Sequence, residues 1–336
     1  MIKHERNNLI DLLRFIAAIS VAVFHFYAIP DIKVQNWYKV ILGYGHIGVP
    51  IFFIISGYCI LIALEHSKTS LAFITRRFFR IFPPYWFSLL VTAAVIFIFK
   101  YLKGINSLSV IPKSPKDVVA TLFLLTDPIT SVKNINWVYW TLPYEIFFYI
   151  VIYLCSYFKG LGFTIVLIFI SAITCILPVS YHGFLSYFRF WPYFCLGASL
   201  YKILHGSRDE RPLSFVLMAF TLADFYFVHE SLLYCAVAIV VVLLIIYSYF
   251  KPIKSNALTK LGDLSYSIYL LHIPIGVYCF ERFRERPPLQ SNGILNFMLD
   301  IVLIVFIIYL SRLMHQHIEI PFIRMGKKLT NTPKIY

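Results

Sequence analysis

Asp11, Arg14 and His25 share one apolar stretch, and their spacing is that of a single helix face. From Arg14 to His25 is about three helical turns and ~16 Å of rise, with Asp11 one turn before Arg14. A polar stripe of this kind is costly against lipid, so it belongs toward a bundle interior or a water-filled cavity. Its chemistry would be an anion contact near one end of the helix and a proton-handling imidazole deeper in. The plainer alternative is an arginine that snorkels to the headgroups and a histidine that bonds a neighbouring helix.

Three further segments carry polar groups among apolar ones. In Arg76-Arg77-Phe78-Phe79-Arg80-Ile81-Phe82-Pro83-Pro84-Tyr85-Trp86, the Arg77 and Arg80 guanidiniums lie three apart and, on a helical turn, converge for bidentate grip of phosphates. Positive-inside topology accounts for basic residues there equally simply. The run Gly48-Val49-Pro50-Ile51-Phe52-Phe53-Ile54-Ile55-Ser56-Gly57-Tyr58 allows close helix contact or local unwinding. Trp140-Thr141-Leu142-Pro143-Tyr144-Glu145 opens another helix and places Glu145 at a depth similar to His25, where a carboxylate could orient the imidazole; bonding to a tyrosine hydroxyl is the alternative. Leu261 to His272, which includes Ser265 and Tyr266, contributes a second buried histidine whose role, structural or functional, stays open.

These groups need a frame. Sixty per cent of the residues are hydrophobic and 14% charged, with mean hydropathy +0.76, which excludes an ordinary water-soluble fold of 336 residues. The expected class is an all-α, polytopic membrane protein of about ten transmembrane helices near 8–28, 46–64, 84–102, 138–158, 161–178, 187–204, 212–228, 231–250, 264–280 and 296–315. The Arg76–Trp86 segment then falls between the second and third helices. The first run carries Arg14 and His25 and lacks a small-residue cleavage site, so it reads as a helix rather than a secretory signal.

The net charge of +14 would suggest nucleic acid in a soluble protein, but here the basic residues cluster in short loops and report orientation instead. With the N-terminus inside, roughly 18 basic residues are cytoplasmic and about 11 external, which favours both termini inside. The third loop dissents, since Lys100, Lys103, Lys113, Lys116 and Lys133 then lie outside. The six cysteines sit within or at the ends of apolar runs without Cys-x-x-Cys spacing, so packing is their expected role and no metal site is expected. No repeat and no appended soluble domain is expected; the division is a membrane domain over 1–325 and a short basic cytoplasmic tail over 326–336.

In order along the chain, Asp11-x-x-Arg14 and His25, Gly48-Val49-x-x-Phe52-Phe53-x-x-Ser56-Gly57-Tyr58, Arg77-x-x-Arg80-x-x-Pro83-Pro84-Tyr85-Trp86 and Trp140-Thr141-Leu142-x-x-Glu145-x-x-Phe148-Tyr149 form an ordered set of motifs. Phe194-x-x-Gly197-x-x-Leu200-Tyr201, Ser265-Tyr266-Ser267-x-Tyr269-Leu270-x-His272-x-Pro274 and Glu319-x-Pro321 complete it. The set resembles the acyltransferase 3 family of membrane proteins, which O-acylate bacterial surface glycans; Tyr58 stands where phenylalanine is more usual. The resemblance implies an O-acyltransferase, in the first instance an O-acetyltransferase, in the bacterial inner membrane. It implies a cytoplasmic acyl-CoA donor, acetyl-CoA by preference, and a carbohydrate or lipid-linked glycan acceptor, with the lipid bilayer as surroundings and no nucleic acid partner. His25, Arg14 and Glu145 would then be catalytic, Arg77, Arg80, Arg14 and Tyr85 would hold the acyl-CoA, and Asp11, Ser56, Trp86, Tyr266 and His272 would support them.

Intramembrane arginine, histidine and glutamate also mark transport pathways, so an exporter of a glycan or small acid is the rival class. Thioester turnover separates the two. A catalytically silent envelope scaffold is disfavoured, because inert helices would carry apolar residues at Arg14, His25, Arg77, Arg80 and Glu145.

Overall fold

The computed structural model describes residues 7–27, 38–103, 111–177, 180–227, 231–280 and 286–331. Lys3, Arg6, Lys33, Arg282, Arg284 and Lys334 lie outside the described residues, as do residues 104–110 at the start of the long third loop. Among the described residues the structure is helical throughout, without strands.

Helix α1 (Asn8–Tyr27) starts where Asn7 caps it, its side-chain oxygen accepting from the Leu9 and Ile10 amides at 3.1 and 3.3 Å. A short helix Lys39–Gly43 and a 3₁₀ turn Tyr44–Ile47 lead into α2 (Gly48–Glu65). Helix α3 (Ser70–Lys103) is followed by α4 (Pro115–Leu122), α5 (Thr141–Cys155) and α6 (Leu161–Thr174). Then come α7 (Trp191–His205), α8 (Glu210–Phe227), α9 (Leu232–Phe250) and α10 (Ser265–Leu271), the last passing into a π-helical segment His272–Tyr278. Helix α11 (Gly293–Met314) continues through a second π segment, His315–Glu319, into α12 (Ile320–Asn331).

Among the described residues, six helical stretches are long and apolar enough to cross a membrane: Asn8–Tyr27, Lys39–Glu65, Ser70–Ile98, Trp137–Cys155, Leu232–Phe250 and Gly293–Thr330. Described helices stand at the other four expected places as well, but Leu161–Thr174 and Trp191–His205 have 14 and 15 residues, short of the ~20 that a hydrocarbon core requires. Among the described residues, length and composition therefore bear out six of the expected spans.

One expectation about boundaries is corrected. Arg76 to Trp86 is no connecting loop, because α3 runs unbroken from Ser70 with Pro83 and Pro84 inside it. The prolines deprive the Phe79 and Arg80 carbonyls of helical donors without ending the helix. At the other end of the chain α12 runs to Asn331 along α3, with Gly326 against Phe79 and Arg76 Nε donating to Thr330 Oγ1 at 2.8 Å.

The core is tightest where α2 crosses α7. A Cβ added at Gly57 would meet the Phe194 carbonyl oxygen at 1.9 Å, and one at Gly197 would meet the Ile54 oxygen at 1.9 Å. The two glycines thus let the backbones touch in both directions, the close approach that small residues permit between membrane helices. Around this crossing Phe53, Phe148 and Phe194 stack at 4.5 and 4.7 Å between ring centroids.

Pro274 organises the segment that faces α1. It has no N–H for the Leu270 carbonyl, which instead accepts from Asn136 Nδ2 at 3.5 Å. Asn136 also caps the 3₁₀ turn Trp137–Trp140, accepting from the Val138 amide at 3.2 Å. One asparagine thereby ties the start of α5 to the π segment that begins at His272. On the far side of α10, Ser267 donates to Glu319, whose other oxygen pairs with His315 Nδ1 at 3.1 Å, anchoring α10 to the second π segment.

Candidate functional site

A cavity opens between α1, α2, α3, α5 and α10. Arg14, Ser56, Arg77, Arg80, Glu145 and Tyr149 form its polar wall; Val49, Phe52, Phe53, Ile60, Ile81 and Leu142 form its apolar one. Arg14 leans on Asp11, one turn away at 3.7 Å. Glu145 accepts from Ser56 Oγ at 3.0 Å and from the Tyr149 hydroxyl, and Ser56 and Tyr149 are 3.2 Å apart. The Arg77 guanidinium lies 5.8 Å from the centre of the Tyr149 ring, and its Nε is buried with no hydrogen-bond partner among the described residues. Three guanidiniums against the single carboxylate of the lining leave the chamber positive. A buried cationic donor without a partner is expensive unless an anion completes it. Tyr266 joins the wall and donates its hydroxyl to the Ile81 carbonyl at 3.0 Å.

The histidines form a separate pair. His25 Nδ1 lies 3.1 Å from His272 Nε2, the rings stacked at 5.2 Å, and His272 Nδ1 lies 3.2 Å from the Ile268 carbonyl. A carbonyl oxygen only accepts, so the His272 proton sits on Nδ1 and its Nε2 is the acceptor. His25 must then donate through Nδ1, which leaves the lone pair of the neutral ring on Nε2. Geometry thus assigns the tautomer of both rings.

His25 does not line the cavity. Tyr269, three residues before His272, lines the cavity, and its ring contacts both Phe52, at 6.1 Å between centroids, and His272, at 5.7 Å. Its hydroxyl is held by Thr141 Oγ1 and the Val138 carbonyl, both at 2.6 Å. One aromatic layer therefore separates the arginine chamber from the imidazoles.

The structure brings together Arg14, Ser56, Arg77, Arg80, Glu145 and Tyr266, and separately His25 and His272. It does not bring Glu145 to His25. From Trp137, whose ring lies 6.2 Å from that of His25, eight residues lead on to Glu145, ~12 Å or more of helical rise toward the arginines. Glu145 consequently meets Tyr149, one turn further along its own helix.

Tyr85 and Trp86 do not line the chamber. Tyr85 is fully buried against Tyr139, and its hydroxyl donates to the Thr121 carbonyl at 2.5 Å, while Trp86 Nε1 donates to the Leu122 carbonyl at 2.9 Å. Both bond carbonyls in the last turn of α4, away from the chamber. Tyr85→Phe is therefore expected to cost about 1 kcal/mol of stability, read as a lowered thermal midpoint, with the KM for any donor unchanged.

Tyr149 and Tyr269 enter the sequence reading only as motif positions without a role, and Trp137 does not enter it. The first two had a signal: Tyr149 lies four residues after Glu145, and Tyr269 lies one turn before His272. Nothing in the sequence marks Trp137, whose place depends on the Asn136 tie. Among the described residues no group of three or more histidine, cysteine or acidic side chains could hold a metal ion.

A protein-family model described as an acyltransferase domain matches residues 7–315, nearly the whole chain. No curated protein and no solved structure gives a significant match.

Proposed function

The chain belongs to the acyltransferase 3 family, and from that premise we propose that it is a membrane O-acyltransferase taking its acyl group, acetyl in the first instance, from a cytoplasmic coenzyme A thioester and giving it to a hydroxyl of an envelope carbohydrate or lipid-linked sugar. The observation that carries the donor is the buried, unpartnered Nε of Arg77 in a chamber walled by Arg14, Arg77 and Arg80. Guanidinium forks suit phosphate oxygens, and their convergence suits a diphosphate.

In this reading the phosphates rest on Arg77 and Arg80, with both chain termini on that side of a bacterial inner membrane, and the pantetheine arm lies along α1. Arg14 and His25 stand ~16 Å apart along α1, a span for an extended arm. Turning the Tyr269 ring out of its layer joins chamber and imidazoles. The Nε2 lone pair of His25 takes the proton of the acceptor hydroxyl as its oxygen attacks the thioester carbonyl, and the proton then goes to the departing thiolate. Glu145, bonded to Ser56 and Tyr149, organises the chamber wall rather than the base. His272 holds the Nδ1 proton of His25 in place and so is its orienting group.

Purified protein in lipid, given acetyl-CoA and membranes of the source cell carrying their own glycans, should release free coenzyme A and label carbohydrate. An exporter would do neither. Arg77→Ala is expected to raise the KM for acetyl-CoA ten- to about a hundredfold, the equivalent of one charge-assisted hydrogen bond, with a smaller change in kcat. An unchanged KM would remove Arg77 from the donor site.

A further inference from the structure

Trp137 carries a second unpartnered buried donor. Its Nε1 is shielded from solvent and has no hydrogen-bond partner among the described residues, an arrangement that costs free energy unless something completes it. The ring is not loosely placed. It follows Asn136, which is bonded both to the Val138 amide and to the Leu270 carbonyl, and it packs edge-on against Tyr278 with centroids 6.0 Å apart. Its other neighbour is His25, 6.2 Å away between ring centroids at an interplanar angle of 41°, and no hydrogen bond joins the two rings.

The two rings have complementary unused valences. Nε2 of His25 is the lone-pair nitrogen once Nδ1 donates to His272, and Nε1 of Trp137 can only donate. With ring centroids 6.2 Å apart, the indole and the imidazole stand side by side, close enough for one acyl-transfer centre to reach a nitrogen of each through hydrogen bonds of about 3 Å. A neutral indole N–H held in a dry aromatic setting is the kind of preorganised dipole that stabilises charge developing on an oxygen.

We propose that Trp137 is a further catalytic residue of the acyl transfer, its indole N–H donating to the acyl carbonyl oxygen while His25 removes the proton of the attacking hydroxyl. This rests on the reading of the chain as an acyltransferase that uses His25. As the new C–O bond forms, the carbonyl π electrons move onto the oxygen facing Trp137. Collapse restores the carbonyl, breaks the C–S bond and expels the thiolate, which takes the proton from His25. No oxidant, metal or further reactant enters.

The test compares wild type with Trp137→Phe and His25→Ala, all in lipid, with acetyl-CoA as donor and source-cell membranes as acceptor. Trp137→Phe keeps an aromatic ring of similar packing and deletes the N–H. It is expected to lower kcat about 10²- to 10³-fold, as loss of one oxyanion donor does, while KM for acetyl-CoA and the thermal midpoint stay within a factor of two and a few degrees of wild type. A kcat within threefold of wild type overturns the proposal, and so does a loss accompanied by a matching rise in KM or a collapse of the midpoint, since either reports packing instead. Trp137→His, which can restore a ring N–H donor, is expected to recover part of the lost kcat; no recovery counts against the proposal. Acetyl transfer by His25→Ala at the wild-type rate, or no thioester turnover by the wild type, would defeat the acyltransferase reading itself, whatever Trp137→Phe does.

Discussion

His25→Ala is expected to abolish acyl transfer, with kcat falling by at least the 10²- to 10⁴-fold that a positioned general base contributes, while the protein still inserts and folds. The imidazole ring lies beside His272 and Trp137 and beyond the Tyr269 layer, so its removal leaves the arginine chamber and its donor contacts intact. Alanine also suits an apolar helix better than histidine does, so insertion of α1 should not suffer. The cost falls on His272, whose Nε2 loses its donor. Donor binding, followed with a non-transferable acyl-CoA analogue, should stay near the wild-type level. A variant that transfers acetyl normally would put the proton acceptor elsewhere, and Glu145, already in the chamber, would be the next group to test.

The second large effect concerns the fold. Gly57→Val or Gly197→Val should prevent the chain from reaching its native packing, because the new Cβ at either position falls 1.9 Å from a backbone oxygen of the facing helix. Rotamer changes do not relieve a clash with main chain, so α2 and α7 must separate. Their shared stack of Phe53, Phe148 and Phe194 opens with them. Overpacking of this kind should lie at or above the upper end of the usual range, about 3 kcal/mol. Gly43→Ala is the internal control, since a Cβ there meets nothing within 4 Å. Extraction in mild detergent followed by size exclusion and limited proteolysis distinguishes them: the valine variants should aggregate or be digested, and the Gly43 variant should behave as wild type. Monodisperse, protease-resistant Gly57→Val protein would show that the crossing adapts.

Much of the frame was legible because helix periodicity is a strong signal. The spacing of Asp11, Arg14 and His25 placed them on one face of one helix, and the pairing of Arg14 with Asp11 follows from that spacing. The two ends of the arginine segment were read with unequal success. Arg77 and Arg80 do converge on one chamber, but their segment read as a connection between two helices, whereas α3 carries it whole with Pro83 and Pro84 in its interior. Glu145 was assigned by depth alone, and depth could not register that a 3₁₀ turn starts the segment at Trp137, so that the tryptophan and not the carboxylate reaches the histidine. The partner of His25 opens the π segment that follows α10, 247 residues away, and such long-range pairing has no local periodicity to betray it. Tyr85 shows the same limit: a tyrosine beside an arginine motif reads as ligand contact, whereas its hydroxyl serves the end of a helix thirty-six residues on.

The Tyr269 ring, clasped by Thr141 and Val138 between Phe52 and His272, has a metabolic consequence on the proposed reading. A thioester is a high-energy compound that a poised base would otherwise spend on water. With the phenol in its resting position, moisture arriving from the imidazole side halts a full ring's thickness short of the loaded donor. An enzyme waiting for its sugar in this posture leaves the cell's activated acetate undrained.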